Sequence, residues 1–524
     1  MSAMTADYDV IIIGTGAGGG TLAYRLAQTG KRILILERGP FLPREKQNWD
    51  TQTVFNSNRY HNSEVWITPE GKAIHPGMSY FVGGNTKVYG AALFRLREKD
   101  FEEYRHKDGI SPAWPLKYRD FEPYYVRAEQ LYRVHGQGGL DPTEPPRSQE
   151  YAYPPVSHEP RIQEVHDALK AQGLHPYYTP LGIHLNEAQR FLSECIRCNT
   201  CDGFPCLVHA KSDAEVSAIL PAIQQGTVTL LTEAKVLKLH TSPSGREVTA
   251  VEVDHEGEIK TVSAHLVAIA CGAINSSVLL LRSANDQHPN GLANRSDLVG
   301  RNFMKHVLGS IIGVTKKPNP TAFQKTMSIN DFYWGEEGYD YPLGQIQLLG
   351  KLNKDMIAGA EEVYKPLDLE YVATHSVDWW LTTEDLPDPK NRVQVKGDQI
   401  LLDYTENNSE PFDRLMERWK GILQQIDCGE HILPHCSYFV KGGEANYFTG
   451  KLPLDGVGHQ VGTCRFGEDP QTSVLDLNCR THDVDNLYVV DGSFFLSSGA
   501  VNPTLTIIAN ALRVGDHMAE RLGM

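Results

Sequence analysis

The chain opens on Tyr8-Asp-Val-Ile-Ile-Ile13, whose last four residues are apolar without interruption. A short β-branched run of this kind predicts a strand buried on both faces. Gly14-Thr-Gly-Ala-Gly-Gly-Gly20 follows, and Leu22, Ala23, Leu26 and Ala27 then recur at helical spacing. Gly30 ends that helix, and Arg32-Ile-Leu-Ile-Leu-Glu37 reads as a second strand. The pattern predicts one βαβ unit with a right-handed crossover.

Farther along, the texture changes twice. Between about Asp100 and Pro180 the chain is aromatic, charged and proline-rich, with Tyr104, Trp114, Tyr118, Tyr124, Tyr125, Tyr132, Tyr151, Tyr153, Tyr177 and Tyr178 crowded together. Such a stretch serves either as packing with polar handles or as a wall that meets a polar ligand. Strand patterns return at Val228–Thr232, Val236–His240, Val248–Val253 and Leu266–Cys271. Residues 317–440 are mixed, with strand-like stretches at Tyr341–Leu352 and Arg392–Asp403 and a helical pattern at Pro411–Ile426. Leu487-Tyr-Val-Val-Asp491 reads as one more buried strand, and Pro503–Leu522 as a closing helix. No internal repeat or low-complexity linker interrupts the chain. The expectation is an α/β protein whose nucleotide-binding domain is discontinuous (1–100, 190–316 and 441–524). A mixed α/β substrate-binding domain is built from the insertions 101–189 and 317–440.

A chain of 524 residues buries a large core without structural disulfides or metal. The net charge of −15 argues against a nucleic-acid partner, which would need a basic surface. Met1–Asp7 has no basic cluster, and no stretch reaches the ~20 apolar residues of a membrane helix. The expectation is a cytoplasmic protein without membrane contact, its nine cysteines mostly reduced.

Chemistry enters at Gly14-x-Gly16-x-x-Gly19, set between the first strand and its helix, with Glu37 closing the next strand. Gly14 permits the tight turn, Gly16 lets a pyrophosphate approach the backbone, and Gly19 lets helix and strand pack closely. Ala17 and Gly18 open the helix, whose N-terminus offers free N–H groups to phosphate. Glu37 can accept from ribose hydroxyls, and Arg38 beside it joins the candidate contacts. A lone glycine fingerprint is weak, but the strand, helix, second strand and terminal acid together predict dinucleotide binding. The unit by itself does not separate NAD from FAD.

Five further blocks bear on that choice. They are Phe81-Val-Gly-Gly-Asn-Thr-Lys-Val-Tyr-Gly90, Val299-Gly-Arg-Asn-Phe-Met-Lys-His306, Glu384–Val393, His459-Gln-Val-Gly-Thr-Cys464, and Asp491-Gly-Ser493 with Val501-Asn-Pro-Thr504. In this order, from Tyr8 to Arg521, they resemble the glucose–methanol–choline (GMC) oxidoreductases, flavoproteins that oxidise alcohols. The resemblance implies FAD, a Rossmann-type FAD domain, and a catalytic pair at His459 and Asn502. A neutral imidazole is a natural base for the hydroxyl proton, after which the carbon-bound hydrogen leaves as hydride to flavin N5. Asn502 cannot titrate but can hold the same oxygen. Asn502-Pro503-Thr504 begins the closing helix, with Asn502 a candidate N-cap and Pro503 in the first turn, and the resemblance implies that this helix end, Thr504 included, points at the flavin pyrimidine. Asp491 and Gly492 fall near the ribityl chain, and Gly83, Gly84, Asn85, Thr86 and Gly90 in the flavin loop. Ala234 and Val236 resemble the strand segment that meets adenine in the family, and the resemblance implies that Cys271 and Gly272 lie at the cofactor. The histidine that some members bond to flavin is missing from the loop, which implies non-covalent FAD.

Among subfamilies the chain resembles bacterial pyranose oxidases and C-glycoside 3-oxidases. That implies a sugar or glycoside hydroxyl as substrate and O2 or another acceptor for reoxidation, with the tyrosine-rich insertion stacking on sugar rings. The alternatives are a GMC enzyme for a non-sugar alcohol and an iron–sulfur-linked flavin electron-transfer subunit. The latter draws on Cys195-x-x-Cys198-x-x-Cys201-x-x-x-x-Cys206. Its spacing departs from the bacterial ferredoxin run and is tighter than paired zinc knuckles. Structural thiols or a local disulfide come first, with iron–sulfur and zinc as the other readings, and no metal site is assigned. Cys271, Cys428, Cys436, Cys464 and Cys479 read as buried small apolar residues.

Overall fold

The computed structural model describes residues 6–358, 368–426, 451–456 and 458–524. Cys428 and Cys436 lie outside the described residues. Tyr8–Ile13 forms the middle of a five-stranded sheet in the order Val228–Leu231, Ile33–Leu36, Tyr8–Ile13, Ala264–Ile269, Leu487–Val489. Every neighbouring pair is parallel. Val10, Ile11 and Ile12 are fully buried, as continuous apolar strands covered on both faces must be. One sheet thus gathers strands from the start, middle and end of the chain.

Helix Ala17–Ala27 packs on this sheet and against the closing helix, Thr504–Arg521. The two helices approach so closely that a Cβ on Gly515 would stand 2.8 Å from Cγ of Arg25. An antiparallel meander, Ala234–Thr241, Val248–His255 and Glu258–Val262, adjoins the sheet. Helix Ala273–Arg282 packs against its first strand.

A second sheet is antiparallel, in the order Val307–Val314, Ser376–Thr383, Gly344–Leu348, Met327–Ile329, Tyr177–Tyr178. Helix Glu410–Ile426 covers one face, with Trp419 edge-on to Trp379 at 4.8 Å between ring centroids. Side chains alternate along each strand. Ile346, Leu348, Trp379 and Leu381 therefore join the core under the helix, whereas Gln347, Trp380 and Leu308 face a cavity on the other side. The strand expected over Tyr341–Leu352 is shorter, because beyond Leu348 the chain turns and Gly350 donates its N–H to Asp202 at 2.8 Å. Arg392–Asp403 is a hairpin of two strands, Arg392–Lys396 and Gln399–Asp403, and Gly397 takes the positive φ of the turn.

The tyrosine-rich stretch is packing. None of its ten named aromatic residues lines the cavity. Trp114, Tyr118, Tyr125 and Tyr132 join the core of the parallel sheet, and helix Tyr118–Leu131 lies on the closing helix. Their polar handles are satisfied inside the protein. Tyr125 Oη meets Thr506 Oγ1 at 2.8 Å, Tyr132 Oη meets Thr21 Oγ1 at 2.9 Å, and Trp114 Nε1 donates to Ser497 Oγ at 2.8 Å. The sugar-stacking role expected of this insertion is therefore corrected: hydroxyls already bonded within the core are not available to a ligand.

Candidate active site

A cavity of about 840 Å³ runs between the carboxyl ends of the parallel strands and the polar face of the antiparallel sheet. Its first wall is mostly backbone. Gly14 adopts φ +102°, and a Cβ there would stand 2.4 Å from the carbonyl oxygen of Ala270. Gly18 is tighter still, at 1.8 Å from the carbonyl oxygen of Val490. Gly16 differs, because nothing lies within 4 Å of the point a side chain would occupy. The N-terminus of helix Ala17–Ala27 has no side-chain cap and no acidic residue in its first turn. Unsatisfied N–H groups beside open space suit the pyrophosphate of a dinucleotide such as FAD.

Glu37 ends its strand at this wall. Its carboxylate accepts from Thr15 N at 3.1 Å and from Gly39 N at 3.0 Å, and also from the Thr15 hydroxyl. Burial raises its pKa above the ordinary carboxylate value. Arg38 lies over the Tyr80 ring at 3.7 Å and pairs with Glu64 at 3.3 Å. Asp491 ties the sheet's last strand to its neighbour, accepting from Gly272 N at 3.0 Å and Ser493 N at 2.8 Å.

Of the residues expected around the cofactor, Gly14, Gly16, Ala17, Gly18, Glu37, Arg38, Gly84, Asn85, Thr86, Gly90, Ala234, Val236, Cys271, Gly272, Asp491, Gly492, Pro503 and Thr504 line this one cavity. Two do not. Gly19 packs the helix against the first strand, where a Cβ would meet the carbonyl oxygen of Gly14 at 2.1 Å. Gly83, at φ +99°, donates its N–H to Thr15 Oγ1 at 3.0 Å and shapes the loop from behind. At Gly90 the missing side chain leaves room for an ion pair between Lys325 and Asp202, 2.7 Å apart.

His459 and Asn502 meet at the far end of the cavity. Asn502 Nδ2 lies 3.4 Å from His459 Nε2, and Asn502 Oδ1 accepts from Gln347 Nε2 at 3.0 Å. The second bond fixes which way the amide points. His459 is brought there by a backbone exchange: Met304 and Val461, each two residues from one of the two histidines, bond each other's N–H and C=O at 3.0 Å. His306 Nδ1 stands 3.1 Å from His459 Nδ1. Loss of water lowers the pKa of both imidazoles, to about 4 for His306 and well below the ordinary value for His459. His306 and the Lys325 cation push His459 farther down. The pair is neutral at pH 7.

The expectation that Asn502 caps the closing helix is corrected. Pro503 occupies the N-cap position and no side chain caps the end, because the Asn502 amide is committed to Gln347 and His459. The free helix end, without an acidic residue in its first turn, still faces the cavity through Pro503 and Thr504.

Residues unassigned from the sequence complete the far wall: Gln347, Trp380, Lys325, Asp202 and Lys351. A signal existed for Gln347. It is a polar residue between Ile346 and Leu348 in a fully buried strand, a placement that demands a partner. For Lys325 and Asp202 no local pattern points to the site.

The clustered cysteines are free thiols beside the cavity rather than in it. Cys195 is buried, and Cys198, Cys201 and Cys206 are partly so. Their loop is held by Lys211, whose Nζ donates to the carbonyls of Cys201 at 2.7 Å and Phe204 at 2.8 Å. Burial pushes the Cys195 thiol up to about 11 and Cys201 up to about 12. Among the described residues no three His, Cys, Asp or Glu side chains are placed to hold a metal ion. Cys464 and Cys479 are buried, whereas Cys271 is only partly buried and its thiol faces the carbonyl of Ile13 at 3.4 Å.

Fold and cavity together define a dinucleotide-binding protein with a neutral histidine at the end of its cofactor cradle. Comparison with known proteins gives the family. The chain belongs to the GMC oxidoreductases, matching the family's N-terminal model over residues 8–308 and its C-terminal model over 443–511. It is 29% identical to paromamine 6'-oxidase of Streptomyces fradiae, over 97% of this chain and 90% of that protein. It is 30% identical to 6'''-hydroxyparomomycin C oxidase of Streptomyces lividus, over 99% and 93%. In fold it is similar to pyridoxine 4-oxidase from Mesorbium loti, with a TM-score of 0.67, 19% identity, and 98% and 99% of the two chains covered. The protein is an FAD-dependent enzyme of a family that oxidises alcohols. Among the described residues no helix is long and apolar enough to cross a membrane.

Proposed function

We propose that this enzyme oxidises a hydroxyl of a sugar or glycoside to the carbonyl, with His459 as the base and Asn502 as its positioning partner. The observation that carries this reading is the pair itself: His459 Nε2 and Asn502 Nδ2 stand side by side at the cavity wall. A hydroxyl set between them would give its proton to the imidazole lone pair while its oxygen accepts from the amide. Gln347 keeps the amide in that orientation. Proton removal of this kind contributes about 10²- to 10⁴-fold to rate. Bound FAD supplies the acceptor for the hydride. The residues that would hold it are Gly14–Gly18, Glu37, Arg38, the Gly84–Thr86 turn, Asp491, Gly492, Pro503 and Thr504. Among the described residues that line the cavity the histidine is His459, already engaged, which supports non-covalent binding.

The sugar assignment draws support from the far wall, where Gln347, Lys325, Asp202 and the Trp380 ring offer both hydrogen bonds and a flat apolar face. It also draws support from the two relatives named for paromamine and a hydroxyparomomycin. The cofactor cradle draws on 1–100, 190–316 and 441–524, and the substrate wall mainly on 317–440, with Asp202 and Leu308 contributed from 190–316. The test is anaerobic flavin bleaching by free sugars, aminoglycosides, other glycosides, choline, sterols and aryl alcohols. Sugars or glycosides should bleach fastest, and preference for a sterol or choline would sink the assignment. Repeating the best substrate with O2 against artificial acceptors separates oxidase from dehydrogenase.

A further inference from the structure

Two of the five blocks, Val299–His306 and Glu384–Val393, lie away from the cofactor cradle, and the structure joins them behind His459. His306 is fully buried in the left-handed region at φ 64°. Its Nε2 stands 2.9 Å from the carbonyl oxygen of Ser498. A carbonyl can only accept, so the His306 proton sits on Nε2. In a neutral imidazole the other nitrogen is then a lone pair. That lone pair, on Nδ1, faces His459 Nδ1 at 3.1 Å with the rings nearly perpendicular, at 86°. His459 Nδ1 must therefore carry the hydrogen, and its Nε2 keeps the bare lone pair beside Asn502. The backbone anchor is itself clamped. Asp385 N donates to Ser498 Oγ at 3.2 Å, Lys305 N donates to Asp385 Oδ2 at 2.9 Å, and Gly499 N donates to Glu384 Oε1 at 3.3 Å.

We propose that His306 is a positioning residue that sets the tautomer of His459, relaying the direction of the Ser498 carbonyl so that Nε2 meets the substrate hydroxyl as an acceptor. The inference rests on His459 being the base, and its two halves can be tested apart. In the other tautomer Nε2 would present N–H to the substrate, and the base would be missing although every residue was present.

The experiment uses ¹⁵N-histidine-labelled FAD enzyme, with the His459 signals identified by their loss in His459→Ala. Wild type should show His459 protonated at Nδ1 and bare at Nε2 at neutral pH. His306→Ala removes the acceptor, so protonation should shift towards Nε2 and anaerobic flavin reduction should slow by about 10²-fold, the low end of a general base's contribution. His306→Asn suits the left-handed backbone and returns an acceptor oxygen near the lost Nδ1. It should restore the Nδ1–H tautomer and bring the rate within about tenfold of wild type. Wild-type His459 protonated at Nε2, or a tautomer unchanged in His306→Ala, overturns the relay. Should the Ala variant fail to fold, the wild-type spectrum and the Asn variant still decide. A tautomer that moves as expected while His459→Ala reduces its flavin at full speed leaves the relay standing and removes His459 as base.

Discussion

The two walls of the cavity are built on different principles. The cofactor wall is backbone. The Gly14 N–H is already bonded to the Leu36 carbonyl at 2.8 Å, so the N–H groups open to a ligand belong to the start of the helix, and the lack of side chains is what matters: at Gly14 and Gly18 a carbonyl takes up the space, and at Gly16 a ligand can. The substrate wall is side chain. Leu308, Lys325, Gln347 and Trp380 arrive on separate stretches of an antiparallel sheet or its connections, and each projects its own chemistry. A backbone wall is indifferent to most substitutions outside its glycines but intolerant at them. A side-chain wall can be retuned one residue at a time, which is how one cofactor fold comes to serve many alcohols.

The largest effect expected from this contrast is at Gly18. Gly18→Ala puts a methyl 1.8 Å from the carbonyl oxygen of Val490, a backbone atom that cannot step aside. The variant should yield almost no FAD-loaded protein, measured as flavin per chain. Near-normal flavin content would show that the wall is not rigid backbone. Next comes the catalytic pair. His459→Ala should slow anaerobic flavin reduction by about 10²- to 10⁴-fold at full FAD occupancy. Asn502→Ala should cost less, and FAD affinity should be unchanged, because Asn502 does not cap the closing helix. A parallel loss of FAD in Asn502→Ala would restore the capping role.

The pH profile sharpens the same point. The pKa of His459 is depressed by burial and by neighbouring His306 and Lys325, so its lone pair is free across the neutral range. Reduction rate should be level from about pH 6 to 8 and fall only as pH drops below the ordinary imidazole range, when the base becomes protonated. That acid limb should vanish in His459→Ala. A limb centred above about pH 7 would mean that the controlling group is not a desolvated histidine. The smallest effect is expected outside both walls, at Cys198. Cys198→Ser should leave turnover per bound flavin within about twofold while lowering yield or thermal stability slightly, as surface-proximal structural changes do. Loss of turnover together with an absorbance band beyond that of flavin would make the cysteine loop a redox centre.

Much of the cofactor wall was legible in the linear order of residues, and for a physical reason. A βαβ unit closes within thirty residues, its apolar runs state which strands are buried, and its glycines mark where the backbone needs space. Local sequence therefore determined the Tyr8–Leu36 unit and the place of Glu37, and motif order along the chain pointed to FAD, His459 and Asn502. What depends on contacts between distant segments was decided only by the tertiary structure. The tyrosines of 104–178 have the composition of a ligand wall but pack inward, because partners such as Thr21, Ser497 and Thr506, far away in the chain, satisfy their neighbourhood. Asn502 has the type and position of a helix cap, yet Gln347 on another sheet competes for its amide and wins. The Lys325–Asp202 pair and the perpendicular contact of His306 with His459 join segments more than a hundred residues apart. Side-chain identity says which bonds a residue can make; only the fold says which partner comes within 3 Å, and at this site that choice sets where the protons sit.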